Sequence, residues 1–392
     1  MVIKKEDILI YIIFLFGLMA SLFGTFSIFG VNLHFFLVFS VFCLAFYLLI
    51  SFSKLKINIP IVLIFFIILV SIPNFKGEFG FLQILYTALP FLFFILGISN
   101  RFSNDFFIKF KDVLEKNVIS LFLLYSLHLF FISTDLDTRW SSIFISLICL
   151  LAFNISDKNS IKILSIILIF FILISGSRGA IFSLFLSYIL SYIFIKYKLR
   201  YSLGVFLLLT LFFSIFYEGI LKLIFAIDYL RERTFFDGVY DINKIKNIEF
   251  NTSGRDIAWP VFWNHIGERP INSFVFIFGE GPGACSEFGV SNLGAAWFHP
   301  HNEIIRIIFD YGILGIFSFS IFWLYIIVRI LVSKSLLAKK ICLPLVFFTF
   351  FIMLTDNPLM YPLFYGNLTL FLIGLCMSSH NIKTYERFLG VK

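Results

Sequence analysis

His299-Pro300-His301-Asn302-Glu303-Ile304-Ile305-Arg306-Ile307-Ile308-Phe309-Asp310-Tyr311-Gly312-Ile313-Leu314-Gly315, continuing as an apolar run to Val328, is the stretch on which the reading of this chain turns. A polar, ionisable segment passes directly into a helix of membrane-spanning length. Two imidazoles and a carboxamide at the mouth of such a helix suit proton transfer at a lipid–water boundary.

The rest of the chain fits that reading. It is 60% hydrophobic and 20% aromatic, with only 14% charged residues and a mean hydropathy of +0.99. A soluble domain of 392 residues does not have that balance, so the sequence predicts an all-α polytopic membrane protein. Apolar stretches of about spanning length predict about twelve transmembrane helices. They fall near 8–25, 31–50, 57–72, 80–98, 118–133, 140–153, 161–174, 180–195, 201–217, 304–331, 341–355 and 362–379. The first lacks a small-residue cleavage site behind it and is read as a retained helix.

Charge orients the helices. With both ends of the chain on the cytoplasmic side, inside segments hold 20 of the 31 basic residues. The short outer loops hold Lys76, Arg139 and Arg178. That bias follows the positive-inside rule, and the long segment 218–303 is exempt from it. The net charge of +8 then reflects topology and contact with anionic membrane lipid, not nucleic acid. The five cysteines, at 43, 149, 285, 342 and 376, lie too far apart to indicate a metal site or a disulfide framework.

Two segments read as interfacial. Residues 101–116 put Phe102, Phe106, Phe110 and Val113 on one face and lysines elsewhere, as in a helix lying on the cytoplasmic surface. Residues 253–266 begin with Ser253 and Asp256 at capping-box spacing, followed by Arg255, Trp259, Phe262, Trp263 and Ile266 at helical spacing. The tryptophans suit a headgroup layer, and Pro260 is the residue that stands against a continuous helix. Such a helix holds Arg255 where a lipid-linked phosphate would lie.

The remaining polar motifs cluster on the outer side. Arg178, within Ser175-Gly176-Ser177-Arg178-Gly179, stands at the start of the eighth span. It either binds an anion with the help of the helix N-terminus or snorkels to anchor a helix end. Phe278-Gly279-Glu280-Gly281-Pro282-Gly283 is read as a structural turn over a phosphate cradle, because no Lys-Ser/Thr follows it. Gly312 and Gly315 invite close helix packing, and Arg306 and Asp310 can pair at i, i+4. Asp135-Leu136-Asp137 on an outer loop is a weak metal motif, and no metal or other cofactor is assigned.

Together these motifs resemble the O-antigen ligase and O-antigen polymerase superfamily of bacterial envelope biogenesis. The carrying residues are 175–179, Thr252 to Trp263, 278–283 and 299–315, with the His301-Asn302, nine-residue, Gly312-x-x-Gly315 spacing the most specific. The similarity covers mainly residues 160–320. It implies a GT-C-like fold and an inverting glycosyltransferase of the bacterial inner membrane, its active site facing the periplasm. The donor would be an oligosaccharide on undecaprenyl pyrophosphate. It also implies that Arg178 and Arg255 contact the pyrophosphate and that His301 is the catalytic base. His299, Asn302, Arg306, Arg231 and Arg233 are further candidates whose roles stay open.

The domain organisation expected from all of this has three parts. Residues 1–217 carry helices one to nine with the cytoplasmic interfacial helix near 101–116. Residues 218–303 form a periplasmic segment, between the ninth and tenth helices, with an interfacial helix near 253–266. Residues 304–392 carry helices ten to twelve and a cytoplasmic tail. Acids outnumber bases in the periplasmic segment, which disfavours a phosphorylated lipid A–core acceptor and tilts the reading to a polymerase, with a chain-length regulator protein as a possible partner. The His-Asn to Gly-x-x-Gly spacing tilts it to a ligase. A polysaccharide flippase or other transporter is the alternative of another class; charge gathered at span ends, not at mid-membrane, argues against it.

Overall fold

The computed structural model describes residues 5–23, 27–28, 31–51, 55–74, 76–131, 138–174, 178–197, 255–294, 300–378 and 381–384. Among these the chain is helical apart from a two-residue antiparallel hairpin, Ser27–Ile28 with Val31–Asn32. The helices are α1 (Lys5–Phe23), α2 (Leu33–Ser51), α3 (Ile59–Ser71), α4 (Gly77–Ser99), α5 (Asn104–Phe131), α6 (Thr138–Ile155), α7 (Asn159–Ile174) and α8 (Arg178–Lys196). After the undescribed stretch come α9 (Arg255–Gly267), α10 (Phe274–Phe278), α11 (Ala284–Leu293), α12 (Glu303–Val332), α13 (Leu336–Thr355) and α14 (Asn367–Met377). Four helical segments are long and apolar enough to cross a membrane: Gly80–Ser99, Gly179–Lys196, Glu303–Val332 and Leu336–Thr355. Shorter apolar helices cover most of the other expected spans, whereas the ninth, 201–217, lies outside the described residues.

Helix α4 is the central post. Its apolar residues run all the way round, as suits a helix enclosed by others, and it is almost wholly buried. Gly97 meets the backbone of Phe371 and Gly374 meets that of Phe94, so a side chain at either glycine would collide with the facing helix. This is the small-residue close approach expected between apolar helices. On another side Phe91 packs edge-on against Phe319 and Phe322 of α12, at 5.6 and 4.9 Å between ring centres. Exposed apolar residues such as Ile59 and Leu69 on α3 and Phe317 and Leu324 on α12 face outward from the bundle, as a lipid-facing surface requires.

Two expectations change here. Residues 101–116 do not form a separate surface helix, because α5 runs unbroken for 28 residues from Asn104. Its phenylalanine face packs on protein: Phe102 and Phe106 meet Phe371 of α14, and Phe110 meets Phe14 of α1. The lysines remain outside that face, and Lys109 and Lys111 pair with Asp7 and Asp157. The glycine pair in α12 is also used differently. Gly312, with φ 66° and ψ −162°, breaks the helix and receives the backbone of Ile277 and Gly279, whereas Gly315 packs under Tyr311 of its own helix.

Candidate functional site

The segment entering α12 is shaped by its own residues. His301 has φ 49°, the only positive φ at a non-glycine among the described residues. Histidine enters this left-handed region more readily than most residues, but at a cost in energy. Asn302 then caps the helix: its Oδ1 accepts from the amides of Ile304 at 3.0 Å and Ile305 at 3.2 Å. The Asn302 side chain is thereby used in building the helix start.

Asp356, immediately after α13, faces His301. Its Oδ1 lies 3.3 Å from His301 Nδ1 and also accepts from the Tyr361 hydroxyl at 3.0 Å and the Asn357 amide at 2.8 Å. Burial pushes the Asp356 carboxyl up. His301, the Asn357 amide and the Tyr361 hydroxyl outweigh that and hold it below the usual carboxylate range. An ionised carboxylate only accepts, so Nδ1 carries the proton and Nε2 becomes the basic nitrogen. The pair remains accessible, with side chains 34% and 23% exposed. Sequence reasoning missed Asp356; the signal available was an acid at the C-terminal end of an apolar span.

Within the first turns of α12 the charges are closed off. The Arg306 guanidinium is held by Glu303, through Nε at 2.7 Å and through Nη2, and also donates to Thr87 Oγ1 of α4 at 3.2 Å. Asp310 lies 3.8 Å from Arg306 Nη1 and accepts the Cys285 amide at 2.9 Å. The expected pairing of Arg306 with Asp310 is thus present, as the weaker of two. All three side chains are at most 1% exposed, so this group ties α12 to α4 and α11 and offers Arg306 no open face for a ligand.

The glycine-rich turn is structural. The break at Gly312 removes the helical partners of the Phe309 and Asp310 carbonyls, and the amides of Glu280 and Gly281 replace them at 3.0 and 3.1 Å. Gly279 has φ 81°, and a side chain there would strike the Asp310 backbone. Helix α9 is fastened to the same joint. Arg269 donates to Glu280 at 2.8 Å and to the Ile308 carbonyl at 3.2 Å, and His265 meets Glu280 at 2.7 Å while stacking on Phe309.

Helix α9 continues through Pro260, which costs it one internal hydrogen bond. The expected roles of its two tryptophans divide. Trp263 is 42% exposed, whereas Trp259 turns to protein and donates from Nε1 to the Pro300 carbonyl at 2.8 Å.

Arg178 and Arg255 are each the first residue of a helix, α8 and α9, and their side chains lie outside the described set. The flanking backbone is informative. A side chain at Gly179 would touch Thr355, the neighbour of Asp356, and Trp259 stands one helical turn after Arg255. Both arginine-bearing helix starts therefore lie one contact away from the His301–Asp356 loops. His299, Arg231, Arg233, residues 175–177 and 252–254, and Asp135 and Asp137 lie outside the described residues. Among the described residues no three His, Cys, Asp or Glu side chains group to hold a metal ion.

No curated protein matches the chain. Residues 163–320, which include α8 and the whole of the joint just described, match the family model for O-antigen ligase, and this supports placing the chain in the O-antigen ligase/polymerase superfamily.

Proposed function

We propose that this protein is an O-antigen polymerase: an inverting glycosyltransferase that moves a glycan from undecaprenyl pyrophosphate to a sugar hydroxyl of a second lipid-linked repeat unit. The family match indicates a ligase- or polymerase-type activity, with a lipid-linked oligosaccharide as substrate. The observation that carries the finer reading is the accessible His301–Asp356 pair, with the start of the Arg178 helix against Thr355 and the first turns of the Arg255 helix joined to Pro300.

The mechanism is a single in-line displacement. The acceptor oxygen attacks the anomeric carbon as the bond from that carbon to the pyrophosphate oxygen breaks, inverting the centre. His301 Nε2 takes the acceptor's proton, and Asp356 holds the ring and stabilises the imidazolium that forms. Negative charge grows on the leaving pyrophosphate, where Arg178 and Arg255 supply guanidiniums and helix N-termini.

The reading places this chemistry on the periplasmic face of an inner-membrane protein with about twelve spans, and 218–303 outside. Contacts between distant segments favour that topology. Asp7 meets Lys109, Asp157 meets Lys111, and Asn381 meets Phe102, all assigned to the inside. Lys76 meets Pro282, Trp259 meets Pro300, and His301 meets Asp356, all assigned to the outside. A ligase is the second reading, favoured by the His-Asn to Gly-x-x-Gly spacing. That spacing here serves the break in α12, which weakens it as a mark of acceptor choice.

The lipopolysaccharide banding of a deletion strain separates the readings. Core bearing a single repeat is the expected result. Unattached lipid-linked polymer indicates a ligase, and absence of the donor from the outer face indicates a flippase.

A further inference from the structure

The turn that presents His301 is held in an unfavourable backbone conformation, which implies that something outside it fixes its shape. Pro300 restricts its own φ, and Asn302 secures the helix that follows. Neither sets the plane of the peptide between Pro300 and His301, whose rotation decides where the imidazole points. Trp259 of α9 does reach that plane: its Nε1–H donates to the Pro300 carbonyl at 2.8 Å. The indole is itself held, packed against the cluster of Phe262, Cys285, Ile305 and Phe309. Helix α9 is fixed in turn at its far end by Arg269 and Glu280.

We propose that Trp259 is a positioning residue for the transfer reaction: by holding the Pro300 carbonyl it keeps His301 in its left-handed conformation, with Nδ1 toward Asp356 and Nε2 toward the acceptor. The proposal rests on His301 being the base. A residue at φ 49° persists only where its surroundings over-determine it, and strain of this kind is of the same order as one hydrogen bond contributes. Without that bond the turn relaxes toward ordinary backbone, and the imidazole moves away from both Asp356 and the acceptor.

The test uses the full-length protein in detergent or nanodiscs, with a lipid-linked repeat unit as donor and acceptor. Two variants separate the hydrogen bond from the packing. Trp259→Phe removes the donor and part of the ring. Benzothienylalanine at 259 keeps both fused rings and carries sulfur where the N–H stood. Both are expected to lower kcat about 10- to 100-fold, the scale of a small misplacement of a reacting group. Donor KM, melting temperature and the shape of the pH profile are expected to stay as in the wild type. Wild-type kcat in the benzothienylalanine variant overturns the proposal. So does a raised donor KM with unchanged kcat, which assigns Trp259 to Arg255 and not to the turn. His301→Ala in the same assay keeps the two claims apart: if it is inactive while both Trp259 variants are fully active, only the positioning role fails.

Discussion

Two groups of charged side chains lie close together at the N-terminal end of α12, and they behave oppositely. Glu303, Arg306 and Asp310 are sealed from solvent and held to one another, to Thr87 and to the Cys285 amide, although Glu303 Oε2 and Asp310 Oδ2 are buried without a hydrogen bond. His301 and Asp356 stand partly open, joined by a single longer contact of 3.3 Å. The closed group holds α12, α4 and α11 in register. The open pair rides on that frame, and the proposed mechanism draws on its imidazole. Ionisable residues near this end of the helix therefore divide by access: those that organise the fold are enclosed, and those proposed to meet substrate stay partly exposed on a rigid support.

The comparison can be broken most severely at Arg306. Arg306→Met leaves Glu303 and Asp310 buried without their cation, and removing one partner of a buried pair costs about 3–5 kcal/mol. The expected result is little monodisperse protein on gel filtration and a large fall in melting temperature. Well-folded but inactive protein would instead move Arg306 into the reacting site.

The next effect lies in the glycine joint. Gly279→Ala puts a side chain into the Asp310 backbone at φ 81°, a combination of overpacking and strain costing about 1–3 kcal/mol. Melting temperature should drop, with residual activity following the fraction folded. An unchanged melting temperature would mean that the turn does not carry the frame.

Asp356→Asn sharpens the other side of the comparison. It should lower kcat about tenfold or more, near 1.4 kcal/mol, while the protein stays folded. Its pH behaviour is also fixed in sign. The carboxyl is held below its ordinary value of about 4, so its stabilisation is complete above that value and is lost only as pH falls through the lowered one. The melting-temperature advantage of wild type over Asp356→Asn should hold its full size above about pH 5 and shrink only in stronger acid. An advantage that already shrinks near neutrality would contradict the assignment.

Much of the frame was legible in the sequence because membrane helices announce themselves by composition. The glycine-rich turn at 278–283 was also legible as structural, whereas Asn302, read as a candidate for chemistry, caps α12. What the sequence did not disclose depends on distant pairing. Asp356 lies 55 residues from His301, and nothing local marks it as that imidazole's partner. The phenylalanine face at 102–110 has the periodicity of a surface helix, yet α1 and α14 cover it instead of lipid. Gly312 and Gly315 read as a helix-packing motif, and only the approach of the 277–281 turn shows that Gly312 is a break. Arg306 had an open role beside its expected pairing with Asp310, and only its burial shows that it presents no open face.

The central claim is that His301, not its buried neighbours, removes the acceptor's proton. The direct measurement is single-turnover glycan transfer by purified, folded His301→Ala, with a lipid-linked repeat unit as donor and acceptor. The account predicts a loss of about 10²–10⁴-fold at an unchanged melting temperature. Near-normal transfer by that variant would contradict it.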